Sequence, residues 1–334
     1  MARFIGVVSG KGGVGKTTVV SNFAYALSRL GRSVITVDCN VTTPHLSDYI
    51  PDFNMHTTIN DVIKGNANIF SALHYNQGIY VVPASRNLDD LVGLDISNLP
   101  NVLQHLNNTD NIIILDSAPG LGKEALSVLK SCNEILFVTT PQRPAVNDIL
   151  RCIKVSEKLG INNIGIILNM HKKKGYNLQK KEIENITGVK VIGTIPYEEK
   201  IAQSVSEKKP LVKFWPNTTA SDEIMKIAAN FLGVPYKRQG RLKRFFTSFL
   251  GSKYTPKVSN KLAVYTTIDN KTVGDRILDM IAVNRKITIN ELAKVINVNA
   301  EEIYKWGKIF HEQNILTLQP SIFGIKKTKL IQNG

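Results

Sequence analysis

One stretch near the start limits what this chain can fold into more than any other. Ser9-Gly10-Lys11-Gly12-Gly13-Val14-Gly15-Lys16-Thr17-Thr18 follows an apolar run, Phe4–Ser9, and opens a helical pattern, Lys16–Arg29. Glycines at this density let successive backbone N–H groups turn inward on an anion. A helix N-terminus adds positive potential at the same point. Lys16 would then reach the terminal phosphates of a nucleotide, and the Thr17 hydroxyl would ligate Mg²⁺. Gly10, Lys11, Gly12, Gly13, Val14, Gly15, Lys16, Thr17 and Thr18 are therefore the expected phosphate-binding residues. A strand–loop–helix unit of this kind points to a parallel α/β architecture.

The rest of residues 1–235 agrees. Strand-like runs at Ser33–Asp38, Gly78–Pro83, Asn111–Asp116, Glu134–Thr139, Asn163–Asn169 and Lys190–Pro196 alternate with helical patterns. The latter lie at Gly122–Ser131, Val146–Leu159, Asn177–Thr187 and Ser221–Leu232. Alternation predicts a mostly parallel sheet covered by helices on both faces. Hydrophobic residues make up 43% of the chain and charged ones 21%, enough apolar material for such a core, which excludes global disorder. No apolar run reaches the ~18–20 residues of a membrane-spanning helix, and the first residues have no leader-like stretch. Cys39, Cys132 and Cys152 form no CxxC pair, which suits reduced thiols in a cytosol. The expectation is a cytoplasmic chain.

Lys11 narrows the loop further. The K-G-G-x-G-K-T-T form over residues 11–18 resembles the deviant Walker A loop of the MinD/ParA family of P-loop ATPases. That resemblance implies ATP/ADP and Mg²⁺ as cofactors. It also implies that Lys11 crosses to the phosphates of a second copy, so that ATP would hold a homodimer together. An ammonium there would offset charge developing on the transferred phosphate. Ile112-Ile113-Ile114-Leu115-Asp116-Ser117-Ala118-Pro119-Gly120 is similar to the family's Walker B strand and switch II. The likeness implies that Asp116 serves the metal through water and that the Gly120 N–H senses the γ-phosphate. Thr139-Thr140-Pro141 and the helix bearing Asp148 resemble the segment that follows. Asn169 and Pro196 resemble the adenine-contacting positions, where an amide can read both donor and acceptor. Iron–sulfur relatives share the loop but carry a C-terminal CxxC that is not in this sequence.

Switch I departs from the common pattern. It reads Val37-Asp38-Cys39-Asn40-Val41-Thr42-Thr43-Pro44, similar to archaeal MinD-like forms, whereas many family members have a second Asp where Asn40 stands. That carboxylate is thought to orient and polarise the attacking water; an amide can hydrogen-bond water but cannot take its proton. The expected catalytic set is Lys11, Lys16, Asp38 and Asn40, and the expected metal set is Thr17, Asp38 and Asp116. Phosphoryl transfer rests mainly on positioning and charge stabilisation. Slow basal hydrolysis, rather than none, is the expectation.

The formal net charge is +15, and part of it is concentrated. Residues 236–254 hold Lys237, Arg238, Arg241, Lys243, Arg244 and Lys253 with no acid among them, a local device for meeting an anionic surface. Within them Leu242, Phe245, Phe246, Phe249 and Leu250 recur at i, i+3, i+4, i+7 and i+8, an arc of about 140° on a helix. Lys243 and Arg244 lie outside that arc. Such a helix over 240–251 can seat Leu and Phe at the acyl boundary while its cations meet anionic headgroups, each contributing about 1 kcal/mol. One copy binds weakly and two joined by dimerisation bind much better. It resembles the membrane-targeting helix of MinD proteins, which implies anionic membrane lipids as a partner and a peripheral location on the inner face of the cytoplasmic membrane.

Beyond a connector to residue 271, residues 272–334 read as a small separate unit. A helical pattern over Val273–Val283, a capping box from Thr288 to Glu291, a helix over Ala300–Gln313 and a hairpin over Ile315–Leu318 and Phe323–Leu330 resemble an archaeal winged helix-turn-helix. The polar positions Glu301, Glu302, Lys305, Lys308, His311 and Glu312 are near neutral, a poor match for a polyanion. An unknown protein partner or activator is favoured there over DNA; Trp306 and Phe310 read as core. The whole reading is three segments: an ATPase domain over 1–235, a basic linker over 236–271 and the small unit over 272–334. Its function would be ATP-switched membrane association that positions a division or surface-appendage apparatus. A ParA-like DNA-associated ATPase and a non-hydrolysing ATP-dimer scaffold stand as alternatives.

Overall fold

The computed structural model describes residues 2–50, 57–172 and 175–236, and further on 274, 277–278, 281, 286–296, 298–313, 315–320 and 328–332. The basic stretch, with Leu242, Lys243, Arg244, Phe245, Phe246, Phe249 and Leu250, lies outside the described residues. The chain divides into two units, Met1–Val258 and Ser259–Gly334.

In the first unit an eight-stranded sheet is built from β1 (Arg3–Val8), β2 (Val34–Asp38), β3 (His74–Asn76), β4 (Ile79–Val82), β5 (Ile112–Asp116), β6 (Glu134–Thr139), β7 (Asn162–His171) and β8 (Val191–Pro196). Their order is β3-β4-β2-β5-β1-β6-β7-β8, all parallel except β3 against β4. Every residue of β2 and β5 is buried, as expected of parallel strands covered on both faces. Ile5 and Val7 of β1 and Ile112 and Ile114 of β5 join one core with α1 (Lys16–Arg29) and α9 (Thr219–Leu232). There Phe23 and Phe231 meet edge to face at 5.6 Å. Gly6, on the opposite face of β1, lies against Val128 and Cys132 at the end of α4 (Lys123–Ser131). α5 (Arg143–Lys158) and α6 (Lys180–Thr187) pack on each other.

β1 is central: β5 and β2 lie to one side and β6 to the other. The winding reverses beside β1, and open α/β sheets bind ligands beyond the carboxyl ends of the strands at such a point. The expected strands fall where the pattern put them. Additional to the sequence reading are β3, the short helices α2 (Ile59–Ile63), α3 (Leu99–Leu103) and α8 (Leu211–Phe214), and α7 (Glu199–Ser206). β3 turns into β4 through Gln77 and Gly78, both with positive φ, the geometry a tight hairpin needs.

In the second unit Leu316–Gln319 pairs antiparallel with Lys329–Gln332, which pairs antiparallel with Lys286–Thr288. The expected capping box forms: the Glu291 N–H donates to the Thr288 hydroxyl at 3.2 Å, and the Thr288 N–H returns to the Glu291 carboxylate at 3.0 Å. Trp306 and Phe310 are buried with ring centroids 4.9 Å apart. Most of the expected strand Phe323–Leu330 lies outside the described residues, and Lys329–Gln332 is a strand.

Candidate functional site: a phosphate loop and two switches

Everything in the site hangs on strand ends. β1 delivers the loop 9–15, β2 delivers Asp38, β5 delivers Asp116, and the parallel register places Asp38 directly opposite Asp116. Gly15 caps α1 with a left-handed backbone, φ 82, and no side chain caps the first turn, which carries no acid. Its leading N–H groups are thus available to an anion.

Two close approaches explain the glycines. A Cβ on Gly10 would overlap the backbone of Asp148 and Ile149 in α5, and one on Gly15 would overlap the Asn169 amide. Gly12 and Gly13 instead face open space, with nothing within 4 Å of an added Cβ. The loop is therefore braced from below and open above, a cradle that fits a polyphosphate.

Lys16 and Lys11 take opposite positions. Lys16 is buried and its ammonium pairs with the Asp116 carboxylate, while Lys11 is exposed on the loop. Asp38 is buried, and its carboxylate accepts from the N–H groups of Asn40 at 3.1 Å, His45 at 3.1 Å and Leu46 at 2.9 Å. Burial, followed by the neighbouring Asp116 carboxylate, pushes the Asp38 carboxyl up to about 7. Two carboxylates on facing strand ends suit Mg²⁺, which takes one or two carboxylates and completes its shell with water and phosphate. Burial also raises the Cys39 thiol well above its ordinary value.

Asn40 spends one N–H and one lone pair of its amide inside its own turn. Its amide donates to the Thr43 carbonyl, and the Thr43 hydroxyl donates back to its Oδ1 at 3.1 Å. One carboxamide thereby closes the switch I turn on itself, a task Asp could not perform because it has no donor. Thr42 is held by Glu124 of α4 through its N–H and its hydroxyl, both at 2.8 Å. In switch II the Gly120 N–H donates to the Ser9 carbonyl at 2.8 Å.

Asn169 sits under the loop, its amide donating to the Val14 carbonyl at 2.9 Å. Pro196 pairs in register with His171, two residues beyond Asn169, at the same end of the sheet. Next to it the Lys172 ammonium stands 3.6 Å over the Tyr197 ring. The structure therefore gathers Lys16, Asp38, Asn40, Asp116 and Gly120 around one loop. Glu124 was missed: an acid in a helix's first turn reads from sequence as a dipole partner only.

The model of the CobQ/CobB/MinD/ParA nucleotide binding domain matches residues 5–211. The chain belongs to the MinD/ParA family. An uncharacterised ATP-binding protein of Methanocaldococcus jannaschii is 32% identical over 253 residues, 75% of this chain and 96% of that relative. MinD of Pyrococcus horikoshii, a septum site-determining protein solved with Mg-ADP, superposes with a TM-score of 0.67. It shares 30% identity and covers 69% of this chain and 96% of its own. The cell division ATPase MinD of Pyrococcus furiosus gives 0.68 at 31% identity, covering 70% and 99%. Members of the MinD/ParA family are ATPases, and in this chain the loop, both switches and Asn169 all lie within the matched residues. Among the described residues no helix is long and apolar enough to cross a membrane.

Proposed function

We propose that this MinD/ParA protein is a MinD-like ATPase that alternates between an ADP-bound soluble form and an ATP-bound dimer on an anionic membrane. There it positions a division or surface-appendage apparatus. ATP or ADP with Mg²⁺ occupies the loop: the backbone N–H groups of residues 10–18 and Lys16 hold the phosphates, and Thr17, Asp38 and Asp116 hold the metal. Asn169 and Pro196 border the adenine. With Asp116 serving Mg²⁺, Lys16, which pairs with that carboxylate in the structure, would be available to the phosphates.

The observation that carries this reading is the split between the two loop lysines, Lys16 turned inward onto Asp116 and Lys11 exposed. A cation on the outer lip of the loop suits the phosphates of a second copy. Hydrolysis is slow because Asn40 supplies no base and is committed to Thr43. Two amphipathic segments over 240–251, brought together in the dimer, give the avidity that one lacks. Residues 272–334, read as a winged-helix-like unit, take a protein partner or activator. The exposed positions of its longest described helix, among them Glu301, Lys305, Lys308 and Glu312, balance in charge.

Co-sedimentation of the full chain with phosphatidylglycerol or phosphatidylcholine vesicles, under ATP or ADP, tests the proposal. Pelleting with the anionic vesicles in ATP alone, lost in a Phe245→Glu/Phe249→Glu variant, is the expected result. Pelleting that ignores nucleotide or lipid overturns the membrane cycle. Salt-sensitive retention on DNA would instead favour a ParA-like role, and an ATP dimer without phosphate release a static scaffold.

A further inference from the structure

The two switches are joined by a contact that lies apart from the phosphate-binding groups. Thr42, exposed in the loop after β2, directs its backbone N–H and its hydroxyl onto one oxygen of Glu124, each at 2.8 Å. Glu124 stands in the first turn of α4, four residues after Gly120. Hydrogen bonds to an ionised acceptor are roughly twice as strong as neutral ones, so two on one carboxylate make a firm grip.

Thr42 lies between Asn40 and Thr43, where the Asn40 amide donates to the Thr43 carbonyl and the Thr43 hydroxyl donates back to the Asn40 Oδ1. Holding Thr42 therefore holds the turn that fixes where the Asn40 amide points. At the other end, the Gly120 N–H is directed to the Ser9 carbonyl. Turning it toward a phosphate requires residue 120 to move relative to the loop. Only a short tether separates residue 120 from the rigid start of α4, so that displacement passes to Glu124.

We infer that Glu124 is a positioning residue for ATP hydrolysis, which ties switch I to switch II through Thr42 so that the two segments rearrange as one. The inference rests on the proposed ATPase function. When Gly120 shifts, Glu124 draws Thr42 with it, the Asn40–Thr43 pair opens and the Asn40 amide becomes available to orient a water. Neither Thr42 nor Glu124 touches the reacting groups; they act through Asn40 and Gly120.

Two measurements on the full chain decide it. In amide hydrogen exchange without nucleotide, Glu124→Ala raises exchange over residues 40–46 by about tenfold and Thr42→Val by about threefold. The double variant goes no further than Glu124→Ala. In steady-state turnover each single variant lowers kcat by about tenfold while KM stays within about twofold. The double variant is no slower than the slower single one. Thr42→Ser, which keeps the hydroxyl, restores the wild-type rate, whereas a helix-dipole role for Glu124 would leave every Thr42 variant at that rate.

Unchanged exchange over 40–46 in Glu124→Ala overturns the inference. So do kcat losses that multiply in the double variant, or a Thr42→Ser chain as slow as Thr42→Val. A wild-type chain that binds Mg·ATP without turning it over counts against the ATPase proposal alone, and the exchange data then decide whether the grip exists.

Discussion

Asp38 should give the nucleotide-free protein an unusual pH dependence. Its carboxyl is fully buried at the end of β2 and, with the Asp116 carboxylate opposite, is pushed up to about 7. In the unfolded chain the same group titrates near ~3.9. Between those values the folded chain keeps a proton that the unfolded chain releases. This group's contribution is therefore most favourable at the acid end, falls as pH rises through the window, and is lost above the folded value. At ~1.4 kcal/mol per pH unit the fall is on the order of 2–4 kcal/mol once local relaxation is allowed for. Asp38→Asn removes the titration at a pH-independent cost of about 1 kcal/mol, because the amide accepts fewer of the N–H bonds from Asn40, His45 and Leu46. Urea unfolding between about pH 4 and pH 8, followed by Trp215 fluorescence in a Trp306→Phe background, gives the difference between the two chains. The variant should gain on the wild type steadily up to about pH 7 and then level off. Saturating Mg·ADP should flatten the wild-type slope, since a divalent cation favours the charged carboxylate. A difference curve that is flat across the window refutes the reasoning.

Three further outcomes follow from the same geometry. Lys16→Met strands the buried Asp116 carboxylate: it should cost about 3–5 kcal/mol, and calorimetric titration should show no Mg·ATP binding. Gly10→Ala drives a Cβ into the backbone of α5 at Asp148 and Ile149. Thermal melts should show about 1–3 kcal/mol lost, with nucleotide affinity down by more than about tenfold; a neutral result would mean the loop is not braced there. Burial lifts the Cys132 thiol to about 12 and that of Cys152 to about 11, with Cys39 also raised. All should react with Ellman's reagent at least about a hundredfold slower than a free thiol at pH 8, and at full rate in urea.

The sequence exposed the parts of the site that follow one another and hid those that meet across the sheet. Gly10 to Thr18 are contiguous, and backbone geometry alone makes them a phosphate loop. Asp38, Asp116 and Asn169 were recognisable as polar residues ending apolar strands. Lys16 on Asp116 joins residues a hundred positions apart, and Asn169 under Val14 spans more; no local pattern encodes such pairs. Asn40 shows the difference best. In the sequence it is a missing carboxylate, whereas in the fold its amide locks the turn through Thr43. That second role needs the loop's path, which only the closed β2 connection sets. The long elements were legible because burial on both faces leaves near-continuous apolar runs. α2 and α3, of five residues each, are too short to show a helical period.

Asp38 and Asp116 sit opposite each other because two parallel strands are in register. The backbone thus fixes a doubly acidic seat that needs a positive occupant, and Lys16 fills it here. On the proposed function, lysine and metal ion would be rivals for one chair. The protein would record its nucleotide state in which cation is sitting down, and loading Mg²⁺ would be the same event as setting the lysine loose.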